Sequence, residues 1–179
     1  MEVFSGDIIR ITLNIMAVLL LLLIGAISLQ VVCSALSINP LLTLNDSLPF
    51  IGKAVSLNSL LDFQWHFLVV IGLIPASIVW LKDKHVRVDF FYAKRSEKVR
   101  SIVDLAGNLI FALPFLWLII PSSIDFAHRA WRSDEGSRNN GLEDLWAIKS
   151  VLLIGMSLLA LAIIVETIIK LRSLKRSGQ

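Results

Sequence analysis

The chain has 179 residues, of which 56% are hydrophobic and 17% charged, and a formal net charge of +3. A soluble domain carries about 25% charged residues and about 45–50% apolar ones; here the apolar excess is gathered into long runs, which excludes water as the main solvent and points to lipid. The small basic excess lies beside those runs and leaves no nucleic-acid footprint, and a single cysteine, Cys33, excludes an intrachain disulfide and disulfide-shuttling chemistry.

About 20 mostly apolar residues are needed to cross the hydrocarbon core as a helix. Backbone groups in lipid must be satisfied internally, so runs of this length are helices rather than strands. The first run spans about 11–36 and holds Gln30 and Cys33, the latter read as a packing residue. Its apolar stretch exceeds the roughly 7–15 residues of a secretory leader and no small-x-small site follows, so it is expected to be retained. In the connection 37–59, Ser47 is expected to cap a short helix with Pro49 in its first turn. Leu48, Ile51 and Val55 would then share one face, as in an interfacial helix lying along the membrane; an irregular loop is the alternative.

The second run spans about 60–81 and contains Pro75, a candidate kink. It is followed by a basic connection, 82–96, in which Val88, Phe91 and Tyr92 can share an apolar face flanked by Arg87, Lys94 and Arg95. Such a stretch gains roughly 1 kcal/mol per favourable charge beside anionic lipid, and both membrane anchoring and partner docking fit it. Ser96 is the expected cap of the next helix, with Glu97 in its first turn. The third run spans about 102–126 with Pro114 and Pro121, a turn-rich connection occupies 132–144, and the fourth run spans about 145–169. The expected fold class is therefore an all-α integral membrane protein. It is a four-transmembrane-helix bundle with short amphipathic interfacial helices, and residues 1–179 form a single membrane domain.

Trp65, Trp80, Trp131 and Trp146 fall at or near run ends, as an aromatic belt requires, with Lys149 beside the last of them as a further interface anchor. Trp117 sits mid-run, where core packing is expected. Twelve Lys and Arg flank the side carrying both termini and five the other, so both termini are expected in the cytoplasm.

Charges inside a membrane raise functional hypotheses. Here they cluster at span ends: Glu166 and Lys170, four apart and able to pair; Asp104 and Asn108; Asp62 and Asp125. The middle of the bundle is almost free of ionisable groups and lacks paired, broken half-helices of the kind that form a midplane transport site. A complete carrier is thus disfavoured, and an accessory or scaffold subunit is expected, with no catalytic, cofactor-binding or metal-ligating residues. The alternative is a haem-binding electron-transfer subunit using His66 and His128, which antiparallel neighbouring helices could bring to one depth as axial ligands. His85 lies on the opposite side and could not join them.

Several elements in order carry a resemblance: Leu61-Asp-Phe-Gln-Trp65-His, His85-Val-Arg87-Val-Asp89-Phe-Phe-Tyr92, Val103-Asp104-Leu-Ala-Gly107, Pro114, Glu135-Gly136-Ser137, Gly141-Leu142 and Trp146-Ala-Ile-Lys149. Over about residues 60–170 the chain resembles the small membrane subunit of tripartite ATP-independent periplasmic (TRAP) transporters. Glu143, after the Gly-Leu pair, and Leu73-Ile74-Pro75 depart from the family pattern. The resemblance implies a bacterial inner-membrane importer of three parts. A periplasmic substrate-binding protein captures an organic acid or related solute, and 2-oxoacids are the leaning. A large polytopic subunit moves the solute with a cation gradient, usually sodium, and the small subunit braces it among membrane lipids. On that resemblance, Trp65, His85, Arg87, Asp89, Glu135 and Ser137 would organise loops or subunit contacts. The polar ending 175–179 suggests that the large subunit is a separate chain.

Overall fold

The computed structural model describes residues 6–85, 92, 94–137 and 139–176. Four helical stretches in it are long and apolar enough to cross a membrane: Gly6–Ala35, Leu57–Leu81, Glu97–Arg132 and Trp146–Lys175. Each reaches past most of the apolar run expected from sequence. Helix α1 (Gly6–Ala35) has 30 residues, about 45 Å at 1.5 Å per residue, against a hydrocarbon core of about 30 Å.

The second span starts at a capping box that the run boundaries concealed. The Ser56 hydroxyl accepts from the Ser59 N–H at 3.1 Å, and the Ser59 hydroxyl accepts from the Ser56 N–H at 3.2 Å. Helix α2 (Leu57–Leu73) then breaks at Ile74-Pro75, and α3 (Ala76–Leu81) completes the span. Proline lacks an N–H and crowds the carbonyl four residues earlier, which accounts for a break there. The third span joins α4 (Glu97–Gly107) to α5 (Leu113–Arg132) through a wider π-helical turn, Asn108–Ala112, closed by Leu113 N–H donating to the Asn108 carbonyl. Pro114 follows at once, so the wide turn sits where the ladder is about to lose a donor. Ser96 is in the extended cap conformation as expected, yet its side chain makes no capping bond. Helix α6 (Trp146–Arg176) is unbroken over 31 residues.

The helices form an open row rather than a closed ring. Helix α6 packs against α2, α3, α4 and α5, whereas α1 packs against α2. The spans therefore stand side by side in the order first, second, fourth, third. Only Leu23 and Cys33 of α1 are buried. The tightest packing lies along α6, where Ala162 and Ile163 are each 2% exposed, and its neighbours supply small buried side chains: Ser59, Ser77 and Ser123. Small residues let helices approach closely where lipid removes the usual hydrophobic drive. Gly155 takes this furthest: a Cβ there would stand 2.8 Å from the Leu73 Cβ and 3.1 Å from the Leu73 carbonyl oxygen.

Two expectations are corrected. The interfacial helix expected after Ser47 is an antiparallel hairpin, β1 (Leu42–Leu48) and β2 (Gly52–Val55), with Leu42 opposite Val55 and Thr43 opposite Ala54. Proline fits the second position of a turn as well as the first turn of a helix. The Ile51 N–H donates to the Leu48 carbonyl at 3.2 Å, and Pro49-Phe50 occupies the middle with Phe50 at φ +68°, the sign a type II turn demands at its third residue. Trp117 is not core: it is 80% exposed, on the face of α5 turned away from α6. The apolar face expected in the basic connection lies outside the described residues, apart from Tyr92.

Candidate functional site

At the hairpin end of the row, three separate chain segments are tied together by polar contacts. The Asp62 carboxylate, on the second turn of α2, accepts from the Leu142 N–H at 2.9 Å. This brings the 133–145 loop down onto α2, and glycine at 141 is what allows it. A Cβ there would fall 1.9 Å from Asp62 Oδ2 and 2.8 Å from the Ser137 hydroxyl. The loop closes on itself through Ser137 N–H to the Leu142 carbonyl at 2.8 Å and Leu145 N–H to the Glu135 carbonyl at 2.9 Å. Asn58 Nδ2 donates to the Asn139 carbonyl at 2.6 Å, and the Ser56 hydroxyl donates to the Asn140 carbonyl at 3.0 Å.

The hairpin joins the same assembly through Phe50. Its N–H donates to Asp144 Oδ2 at 3.1 Å and its carbonyl accepts from the Glu143 N–H at 2.9 Å. Its ring lies 6.3 Å from that of Trp146, which meets Trp131 edge-on at 4.6 Å. A bulky residue at positive φ persists where its surroundings over-determine it, and these contacts hold Phe50 from both sides. Lys149, expected to extend to the headgroups, turns inward instead. Its ammonium is 2.5 Å from Glu135, in the loop after α5, and 4.2 Å from the centre of the Phe126 ring of α5.

At the opposite, basic end the third and fourth spans are joined by charge. Lys170 Nζ lies 2.5 Å from Asp104 Oδ2 and 2.6 Å from Glu166 Oε1, with all three side chains about four-fifths buried. The Tyr92 hydroxyl donates to Asp104 at 2.8 Å, and the Trp80 indole N–H donates to Glu166 Oε2 at 2.5 Å. The cluster thus connects α3, α4, α6 and the basic connection. One turn deeper, the buried Asn108 amide donates to Thr167 Oγ1 at 3.1 Å. Between α1 and α2, Gln64 Nε2 donates to Gln30 Oε1 at 2.5 Å. These polar side chains satisfy one another, the arrangement lipid favours, whereas the buried Arg100 Nε has no hydrogen-bond partner among the described residues.

The residues picked out from sequence divide accordingly. Glu135 and Ser137 are both in the loop assembly. His85 packs edge-on against Trp80, 5.5 Å between ring centres, beside the charge cluster. Trp65 is 61% exposed on α2, clear of both groups. Arg87 and Asp89 lie outside the described residues. His66 and His128 are not brought together: the row places α6 between α2 and α5, and the His66 ring nitrogen engages the Asp62 carbonyl of its own helix. Sequence reasoning missed Phe50 and the inward aim of Lys149, and it gave Gly141 only as part of a turn and of the family motif Gly141-Leu142, not as the close approach to Asp62. The Pro-Phe-Ile-Gly turn and the alternation Leu42-Thr43-Leu44-Asn45 were available signals for the hairpin. Among the described residues, no three His, Cys, Asp or Glu side chains gather into a metal-holding group.

The site is thus built to tie spans and loops together. A search of curated proteins gave no match. The family model for the DctQ component of tripartite ATP-independent periplasmic transporters matches residues 54–173, a stretch that takes in the end of β2, the second and third spans, most of α6, the 133–145 loop and the charge cluster. The chain belongs to the DctQ component family of TRAP transporters.

Proposed function

We propose that this chain is the fixed scaffold subunit of a cation-coupled importer, bracing a large polytopic transport subunit that receives solute from a periplasmic binding protein. The observation that carries the reading is the open row. Its four spans present broad apolar flanks, with Trp65, Phe111, Trp117 and Leu118 well exposed, while the polar pairs described above bond to one another. A carrier needs a solvated polar site that opens in turn to each side; a brace needs a wide, rigid apolar surface. We take the solute to be an organic acid and the coupling ion to be sodium, a reading the family's transport role supports. The same role and the charge bias support placing it in the bacterial inner membrane with both termini in the cytoplasm. On this reading the chain performs no catalytic step. Glu135 and Ser137 shape the periplasmic loop, His85, Arg87 and Asp89 shape the cytoplasmic connection, and Trp65 belongs to the exposed flank.

Uptake into proteoliposomes tests this. The chain alone should give none, and addition of the large subunit and binding protein should give solute accumulation that depends on a sodium gradient. Uptake by the chain alone would make it a carrier and end the scaffold reading.

A further inference from the structure

The second and third spans are each interrupted, on either side of the unbroken α6. In the second, Pro75 sits at ψ −5°, well off the helical value of about −42°, and separates α2 from α3. In the third, the π-helical turn Asn108–Ala112 separates α4 from α5. Proline alone does not set such breaks, because α5 continues through Pro121. Departures of this kind within a helix often mark hinges or functional sites. Their depths agree. Trp80 bonds Glu166 and Asn108 bonds Thr167, adjacent positions on α6. From Trp80 back to Pro75 is about 8 Å along a helix, and from Asn108 the π-helical turn reaches about 6 Å in the same direction to Ala112. The interruptions thus lie within about one helical turn of the same level. A piece carried by two helices can swing only if both give way together, since a single break is locked by the other span.

Helices α3 and α4 follow one another in the chain, and both pack on α6. We propose that they move as one yoke astride α6, pivoting at Pro75 and at the π-helical turn and latched by the Trp80–Glu166 and Asp104–Lys170 bonds. The latches are charge-assisted and local. Beyond the pivots the spans are fixed differently: α2 by the close approach of Gly155 to Leu73, and by Asp62 holding the 133–145 loop. Room for the movement exists. A cavity of about 590 Å³ lies between α3, the third span and α6, with Trp80 and Gly107 on the arms and Asn108 and Ala112 at the pivot among its walls. A Cβ on Gly107 would meet no neighbouring segment within 4 Å, whereas a close-packed interior would resist such a shift. The movement is internal to this chain and independent of the scaffold role. It reshapes the basic end of the row and leaves the flanks of α1, α2 and α5 in place.

Hydrogen exchange on the full-length chain in lipid nanodiscs, read by mass spectrometry, tests this through Trp80→Phe. The variant removes a latch donor on α3 and leaves Asp104 and Lys170 in place. With helicity unchanged, exchange should rise about tenfold in 76–81, equivalent to about 1.4 kcal/mol. It should rise by the same factor in 97–107, while 57–73 and 113–132 stay as in wild type. An increase confined to 76–81, an increase through all four segments, or no increase would each overturn the yoke. Wild type supplies a reading that needs no variant. Its two arms should share one temperature dependence of exchange, distinct from that of 57–73 and 113–132, and separate dependences for 76–81 and 97–107 would equally defeat the proposal.

Discussion

Replacing Lys170 by methionine removes a charge while keeping most of the side-chain bulk. It leaves Asp104 and Glu166, each within 2.6 Å of the lost nitrogen and about four-fifths buried, facing each other without the ammonium that lay between them. Two carboxylates about 5 Å apart repel by about 3 kcal/mol at an effective dielectric constant of ~20, and removing one partner of a buried ionic group costs about 3–5 kcal/mol in general. Partial exposure of the cluster places the expected loss for Lys170→Met at the lower end, about 3 kcal/mol. The triple variant Asp104→Asn, Glu166→Gln, Lys170→Met carries no charge, and its amide oxygens can still accept from Tyr92 and Trp80. It should come within about 1 kcal/mol of wild type, since a neutral replacement of a whole buried ionic group is often harmless. Thermal unfolding in detergent, followed through the fluorescence of Trp80 in a background with the other tryptophans changed to phenylalanine, reports on the cluster itself, at roughly 2–4 °C per kcal/mol for a chain of this size. A Lys170→Met midpoint equal to that of wild type, or a triple variant no better than the single one, would refute the reasoning.

Two glycines on packed helices should behave oppositely. Gly155→Leu drives a side chain into the Leu73 backbone and should lower the unfolding midpoint by an amount worth about 1–3 kcal/mol, whereas Gly72→Leu enters open space and should leave it unchanged. Gly141→Ala should push Asp62 off the Leu142 N–H and raise amide exchange across 133–145, with a stability loss of about 1–3 kcal/mol; unchanged exchange would mean the loop does not depend on that carboxylate. Changing Gln30 or Gln64 alone to leucine strands an amide in lipid and should weaken α1–α2 packing by about 0.6–2 kcal/mol, while the double change should recover most of it, as a double-mutant cycle would reveal.

The long elements were legible because lipid makes one demand, apolar length, and the four runs meet it without ambiguity. The Pro75 break and the Glu166–Lys170 pair were legible for similarly local reasons, one a missing N–H and the other a four-residue spacing. What escaped was set by neighbours. Ser47-Leu48-Pro49 suits a helix start or a turn, and Asp144 and Trp146, more than 90 residues along the chain, are what hold Phe50 in the turn. Trp117, mid-span and so expected in the core by default, is left outward by the open row, where lipid imposes no penalty on an exposed apolar ring. Lys149 lies near a helix end, which suits extension to the headgroups, but its partner Glu135 arrives from a loop that helix spacing does not predict. The candidate loop residues Glu135 and Ser137 came from the resemblance, and composition alone would not have found them.

Purification of the tagged chain from its native membranes in mild detergent, with identification of everything that accompanies it, bears most directly on the scaffold role. A large polytopic membrane protein should co-purify in fixed ratio, with no absorbance from haem. A chain that emerges alone, or with a Soret band and redox proteins, would contradict that role and return attention to His66 and His128.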